Sequence, residues 1–336
     1  MNYDFQPGIN VITGQNAVGK TNLVEAIHYL SLGHSFRTND IEDLLKKDTD
    51  QAKIETVIKE GQIERRIVAI LDKNGQKLSI NSKPIKKLSE LSKCVNVILF
   101  EPKDVLLFKG LPKERRNFLD INISKKSPTY LAYLSSYEKI LKERNEILKS
   151  EKVDKNLLDA NTEMLISTSK NIVKYRQAYV EDINDILIKL THALTGTCEK
   201  FELHYYPFVI ANSEFEENAK KAFNKALEND LRQKATSIGC HREDLSMSLN
   251  DRDIGEFGSQ GENRIAALAL KLAPYFLIED KEKRPIVVLD DVMSELDQTH
   301  RQRLITFLKR FEQVFITATK LEIAGSSHFQ IKKSKI

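Results

Sequence analysis

Hydrophobic and polar positions divide the chain into three textures. An apolar run at 9–12 leads into a glycine-bearing loop, and the pattern from residue 22 predicts a helix ending near Gly33. Residues 52–58, 63–71 and 77–80 alternate apolar and polar positions, which predicts an antiparallel sheet, with Asn74-Gly75 marking a hairpin. Residues 94–100 form a buried-type strand ended by Glu101-Pro102. From about residue 112 the period becomes helical: Leu134, Tyr137, Leu141 and Leu148 fall on a three-four spacing, and Leu158, Leu165, Ile172, Tyr179 and Ile186 recur every seven residues. Two long antiparallel helices joined near 150–154 follow, and a helix of some twenty residues reaches about 30 Å. The stripes suit either a projecting arm or a compact helical bundle. Strand texture returns at 245–249, followed by a helix at 265–272, an apolar run at 285–291, a helix at 301–310 and a last buried strand at 314–319. The expected organisation is α/β, with a first head segment at 1–111, a helical arm at 112–236 and a second head segment at 237–336.

Three stretches carry candidate chemistry. The first is Gly14-Gln15-Asn16-Ala17-Val18-Gly19-Lys20-Thr21, which has the strand, loop and helix context that a phosphate-binding loop requires. Its glycines let backbone N–H groups converge, Lys20 reaches β- and γ-phosphates, and the Thr21 hydroxyl is a ligand for Mg²⁺. Only thirteen residues precede Gly14, which leaves little chain for an edge strand ahead of the P-loop strand. The second is Gly258-Ser259-Gln260-Gly261-Glu262, where Ser259 stands at the N-cap of a helix whose first donors are open to an anion. The third is Asp290-Asp291, two carboxylates at the end of a continuous apolar strand. Asp290 is the expected Mg²⁺ ligand, and Asp291, pointing the opposite way along the strand, is the candidate base for an attacking water. Thr317 either reaches a γ-phosphate or closes its strand by hydrogen bonding. One P-loop already surrounds most of a nucleotide's phosphates, so a second anion-binding helix start suits a two-fold dimer. There Ser259, Gln260 and Gly261 of one subunit close over ATP held by the other.

Composition narrows this little further. The 336 residues are 41% hydrophobic and 30% charged, with 52 basic against 48 acidic residues and a net charge of +4, so any DNA-binding surface must be local. Candidates are Lys83, Lys86 and Lys87; Lys109, Lys113, Arg115 and Arg116; and Lys125 and Lys126, each of which also suits an ordinary solvated face. Cys94, Cys198 and Cys240 are far apart without a metal or disulfide pattern. Neither a membrane span nor a signal peptide is evident, which favours the cytoplasm.

The P-loop, the 258–262 signature and the block Leu289-Asp290-Asp291-Val292-Met293-Ser294-Glu295-Leu296-Asp297 resemble ABC-type head ATPases of the SMC kind, and within them the RecF family. Further matches are Ser35-Phe36-Arg37-Thr38, Phe100-Glu101-Pro102-Lys103-Asp104, residues 114–120 and residues 239–245. The resemblance implies a P-loop ABC-type head, a mixed sheet with an antiparallel subdomain, and a helical arm inserted between its halves. It also implies a weak ATPase that forms an ATP-dependent homodimer, binds gapped or double-stranded DNA, and acts with RecR and RecO to assist RecA loading in repair and replication restart. Members of the family usually carry a longer lead before the P-loop strand, Gln where Glu262 stands and Pro where Cys240 stands. A P-loop phosphotransferase and a defence-system ATPase with a related head are the alternatives.

Overall fold

The computed structural model describes residues 2–332. In chain order its elements begin with β1 (Gly8–Thr13), α1 (Lys20–Leu32), β2 (Gln51–Glu60), β3 (Ile63–Asp72), β4 (Gly75–Ile80), β5 (Lys83–Pro84), α2 (Ser89–Cys94) and β6 (Val97–Phe100). There follow α3 (Pro112–Lys126), α4 (Pro128–Lys149), α5 (Lys155–Thr195), β7 (Phe201–Tyr206), α6 (Phe215–Gln233), β8 (Asp244–Leu249), β9 (Arg252–Asp253), α7 (Ile254–Phe257) and α8 (Gln260–Leu272). The last elements among the described residues are β10 (Ile286–Leu289), α9 (Gln298–Leu308), β11 (Gln313–Ala318) and β12 (Ser327–Gln330). It separates into two units, Met1–Val105 with His192–Gly196 and Leu268–Ile336, and Leu106–Thr191 with Thr197–Ala267.

The first unit is built on a five-stranded sheet in the order β12-β1-β11-β10-β6, in which every pairing is parallel. The P-loop strand β1 is therefore an inner strand despite its short lead. Its second neighbour is β12, in register from Asn10 with Ser327 to Thr13 with Gln330. The antiparallel strands form a separate sheet, β2-β3-β4-β5, with Gly75 opening β4 at a φ of 134° that only glycine adopts easily. Along β2 the half-buried Ala52, Ile54, Thr56 and Ile58 alternate with exposed neighbours, so one face is turned inward. That face and the parallel sheet share one core, in which Val24 of α1 joins Ile12, Ile67, Ala69, Leu71, Val288 and Phe315. The buried strand expected at 94–100 is shorter than its apolar run: Cys94 ends α2 and β6 begins at Val97.

In the second unit α4 and α5 run antiparallel. The Tyr130 and Tyr175 rings lie 5.5 Å apart, and further along Arg144 Nε donates to Thr162 Oγ1 at 3.0 Å. With 41 residues α5 is about 60 Å long, twice the reach expected of each helix. Leu158, Leu165, Ile172 and Tyr179 are buried on the seven-residue stripe, but beyond them burial passes to Ile183, Leu187 and Leu190 rather than Ile186. A straight helix drifts about 20° per heptad, which moves the inward face by that much. The helical texture also conceals a strand: β7 pairs with β8, and β8 with β9, in a three-stranded antiparallel sheet.

Buried charge knits this unit together. Arg176, almost fully buried, donates to Asp120 at 2.8 Å, to Glu243 Oε2 at 2.5 Å and to the Cys240 carbonyl at 2.9 Å. Glu243 also accepts from the Tyr205 hydroxyl and from Phe208 N–H. Arg115 forms a forked pair with Asp244 at 2.7 and 2.8 Å, and Arg116 donates to the Glu243 carbonyl. The blocks 114–120 and 239–245 are thus two sides of one internal network. Removing one member of such a network leaves an unpaired buried charge, at a cost of about 3–5 kcal/mol.

Candidate functional site

The P-loop hangs between β1 and α1. Ala17 at φ 63° and Gly19 at φ 106° both take left-handed backbone, which turns successive N–H groups inward as in anion-binding nests. No side chain caps α1 at Gly19, so its first-turn donors face the loop. Gly14 has no room for a side chain, because a Cβ there would lie 2.7 Å from the Ile331 carbonyl oxygen and 2.8 Å from Val18. Lys20 is buried, and its ammonium donates to the Gly14 and Gln15 carbonyls at 2.7 and 2.9 Å. The lysine is held within the loop it serves. A phosphate there would compete with two neutral carbonyls for one cation.

The end of β10 reaches the same place. Asp290 continues the ladder, its N–H donating to the Phe100 carbonyl at 2.9 Å, and its buried carboxylate accepts from Thr317 Oγ1 at 2.6 Å. Thr21 Oγ1 stands 3.5 Å from the same Asp290 oxygen. A hydroxyl and a carboxylate at this spacing are hard oxygen donors of the kind Mg²⁺ takes when a nucleotide and water complete its shell. Among the described residues no cluster of three or more His, Cys, Asp or Glu is placed to hold a metal. Asp291 is exposed, but strand alternation does not aim it: β10 has ended, and Asp291 turns away in left-handed backbone at φ 50°. Its N–H donates to Thr317 Oγ1 at 2.9 Å, and its carbonyl accepts from Ser294 Oγ at 2.8 Å. Of the two roles open to Thr317, the structure displays hydrogen bonding, one hydroxyl bridging both aspartates. Asp297, further along the same block, caps α9 by accepting from His300 N–H at 3.0 Å.

Two neighbouring groups had no role in the sequence reading. Glu101 follows β6, whose Phe100 is in register with Leu289, so it stands beside Asp290 at the strand ends. Burial pushes its carboxyl above the usual range, against the opposing pull of Lys103. Arg37 donates to Asn22 at 3.1 Å and Glu25 at 3.2 Å, and Ser35 ties the same loop to Glu25, so residues 35–37 are pinned to α1 just past Thr21. The pairing of β6 with β10 links residues too far apart for local pattern to reveal it.

Ser259, Gln260 and Gly261 belong to the second unit and are exposed. Ser259 caps α8 together with Glu262. Ser259 N–H donates to Glu262 Oε2 at 2.7 Å, while Glu262 N–H donates to Ser259 Oγ at 3.2 Å, a reciprocal capping box. The backbone N–H holds the Glu262 carboxyl below its usual range. Just before it, Phe257 is exposed, with the Arg252 guanidinium 5.7 Å above its ring. Of the basic candidates, Arg115 and Arg116 are taken up by the internal network and Lys126 pairs with Asp182 at 3.1 Å. Lys83, Lys86, Lys87, Lys109 and Lys113 are exposed.

A P-loop strand, an acid-bearing strand one place removed across a parallel sheet, and an antiparallel sheet sharing its core define an ABC-type ATPase head with an inserted helical unit. More narrowly, the chain belongs to the RecF/RecN/SMC N-terminal domain family, whose model matches residues 1–333. It is 36% identical over 327 residues to a Lachnoclostridium phytofermentans protein named DNA replication and repair protein RecF, covering 96% of this chain and 89% of that one. A Bacillus subtilis protein of the same name is 36% identical over 350 residues, covering 99% and 94%. Among solved structures, the recombination mediator protein RecF with ATP in the RecFOR pathway superposes with a TM-score of 0.87 at 33% identity, over 99% of this chain and 92% of that one. The Smc head domain of Pyrococcus furiosus bound to the C-terminal domain of ScpA shares the fold, with a TM-score of 0.54 at 16% identity, over 94% and 84%. Among the described residues no helix is long and apolar enough to cross a membrane.

Proposed function

We propose that this chain is an ATP-dependent DNA-binding protein of recombinational repair and replication restart. ATP and Mg²⁺ bind at the P-loop: backbone donors of residues 14–19 and Lys20 hold the phosphates, Thr21 and Asp290 hold the metal, and Asp291 acts as base in slow hydrolysis. Ser259, Gln260 and Gly261 of a second copy close over the γ-phosphate, so ATP acts as a reversible clamp. The dimer binds gapped or duplex DNA and assists RecA loading with RecO and RecR, in the cytoplasm. The relatives named as replication and repair proteins support the pathway, and the ATP-bound relative supports the nucleotide. The domain division proposed is a head of 1–111 and 237–336 with an arm of 112–236 between.

The observation that carries this reading is the meeting of Thr21 with the Thr317-anchored Asp290 beside an uncapped P-loop helix. Exposed lysines in 83–87 and 109–113 are the proposed phosphate-backbone contacts, whose affinity should fall steeply with salt. The test is the mass in solution, by light scattering, of micromolar protein with saturating ATP and Mg²⁺. Wild type should become a dimer and revert as ATP is consumed. Ser259→Arg should bind nucleotide but remain monomeric. A wild type that stays monomeric, or a Ser259→Arg protein that dimerises normally, refutes the clamp.

A further inference from the structure

The exposed start of α8 already holds an anion, and it is the chain's own. Glu262 is tied to Ser259 at both ends: the serine N–H donates to the carboxylate, and the hydroxyl oxygen accepts from Glu262 N–H, which leaves the hydroxyl proton for a phosphate. Positive charge stands nearby in Arg252, set against the Phe257 ring, and in Lys109, whose ammonium donates to the Gly258 carbonyl at 3.2 Å. A carboxylate in the first turn of a helix is stabilised by the helix dipole as well as by the donors it accepts from.

We infer that Glu262 is an internal competitor for the partner's nucleotide and thereby sets how readily ATP closes the dimer. This rests on the reading that Ser259 meets a γ-phosphate across a two-fold axis. A phosphate approaching this helix start meets a carboxylate held one helical turn away on the Ser259 N–H, still charged. Closure therefore meets an opposing charge twice, once at each of two symmetric sites. Glutamine at 262 would keep the capping box, because its amide oxygen accepts from the same N–H, while removing the charge. Glu262 acts through Ser259 and is a positioning residue; it need not touch the nucleotide.

The experiment compares wild type with Glu262→Gln and Glu262→Ala. Mass is followed against protein concentration at saturating ATP and Mg²⁺, and binding of a fluorescent ATP analogue to the monomer and the melting temperature are measured alongside. Glu262→Gln should dimerise at a protein concentration roughly ten-fold lower or more, since removing a like-charge contact at an interface acts mainly on association. Its nucleotide affinity as a monomer should be unchanged, and its melting temperature should fall only slightly, because the cap is kept while the charge that the helix start favours is lost. Glu262→Ala, which loses the cap as well, should melt lower yet still dimerise more readily than wild type. A Glu262→Gln midpoint at or above that of wild type overturns the inference, as does weakened dimerisation of Glu262→Ala in step with its stability. If wild type dimerises with ATP and Ser259→Arg does not, either result leaves the clamp standing and removes only the role of Glu262. If neither wild type nor Glu262→Gln dimerises, both ideas fall.

Discussion

Replacing Thr317 by valine keeps the shape of the side chain and deletes one hydroxyl, yet that hydroxyl serves two residues. It is fully buried, donates to Asp290 Oδ1 at 2.6 Å and accepts from Asp291 N–H at 2.9 Å. Loss of a hydrogen bond to a charged group costs about 1.5–3 kcal/mol, and a stranded, partly buried N–H adds about 1 kcal/mol. The expected destabilisation of the unliganded protein is therefore about 2–4 kcal/mol, or roughly 5–10 °C in the melting temperature of a unit this size. Thr317→Ser is the control: it keeps the bridge and loses a methyl, at about 1 kcal/mol. Calorimetric melting of wild type and both variants separates the two contributions. The same valine should also weaken Mg²⁺-dependent ATP binding, because Asp290 is then free to swing from Thr21. Equal melting temperatures for Thr317→Val and Thr317→Ser would show that the bridge contributes nothing, and with it would go the case for a pre-positioned Asp290.

The remaining expectations concern protonation and turnover. His241 is held neutral by burial, its nitrogens engaged with the Tyr137 hydroxyl at 2.7 Å and the Thr236 carbonyl at 3.0 Å, and its pKa falls from 6.5 to about 4. Between those values the unfolded chain binds a proton that the fold refuses, so stability is complete above the upper pH and declines as pH falls towards the lower one, by about 3 kcal/mol in all. Melting at pH 7 and pH 4.5 should show His241→Gln losing less over this interval than wild type, and equal losses would exclude the histidine as the source. Asp291→Asn should slow ATP turnover and lengthen the life of the ATP dimer while leaving nucleotide affinity near wild type. A turnover rate unchanged by the asparagine would remove Asp291 as the base.

Much of the first unit was legible because its signals are local. The P-loop spans eight consecutive residues, the antiparallel strands alternate cleanly, and the acids end an apolar run. What escaped depends on pairings between distant residues or on competition between patterns. Nothing in Ser327-His328-Phe329-Gln330 announces that it will flank the P-loop strand, because a short strand of mixed polarity is specified by its place in the sheet. β7 is short and flanked by long helical stretches, so the alternation of Phe201, Leu203 and Tyr205 with Glu202 and His204 is a weak signal beside the helical period. The spacing of Ser259 and Glu262 is that of a capping box, and it was legible from the start. The same serine also suits an anion from outside, so the spacing alone does not decide between the two. Arg115 and Arg116 show the converse: basic side chains in a shared block invite a DNA role, and burial places Arg115 in a scaffold instead.

Carboxylates supply a physical criterion for sorting the remaining shared motifs. Asp120, Asp230, Asp244 and Glu243 each accept from a guanidinium within 2.8 Å, so their oxygens are committed to the scaffold rather than open to an incoming water. Asp290 is anchored by Thr317 on one oxygen, which suits a ligand that must keep its place. Asp291 differs from all of these: among the described residues no hydrogen bond or ion pair to its carboxylate is present, although its N–H and carbonyl are both tied down. Its left-handed backbone costs roughly 1 kcal/mol for a residue with a side chain, a cost more easily borne by aspartate than by most. A fixed main chain carrying an unengaged, exposed carboxylate one residue beyond Asp290 leaves that side chain open to a water, which a general base needs. That contrast in satisfaction, more than position in the motif, supports assigning the base to Asp291 and metal binding to Asp290.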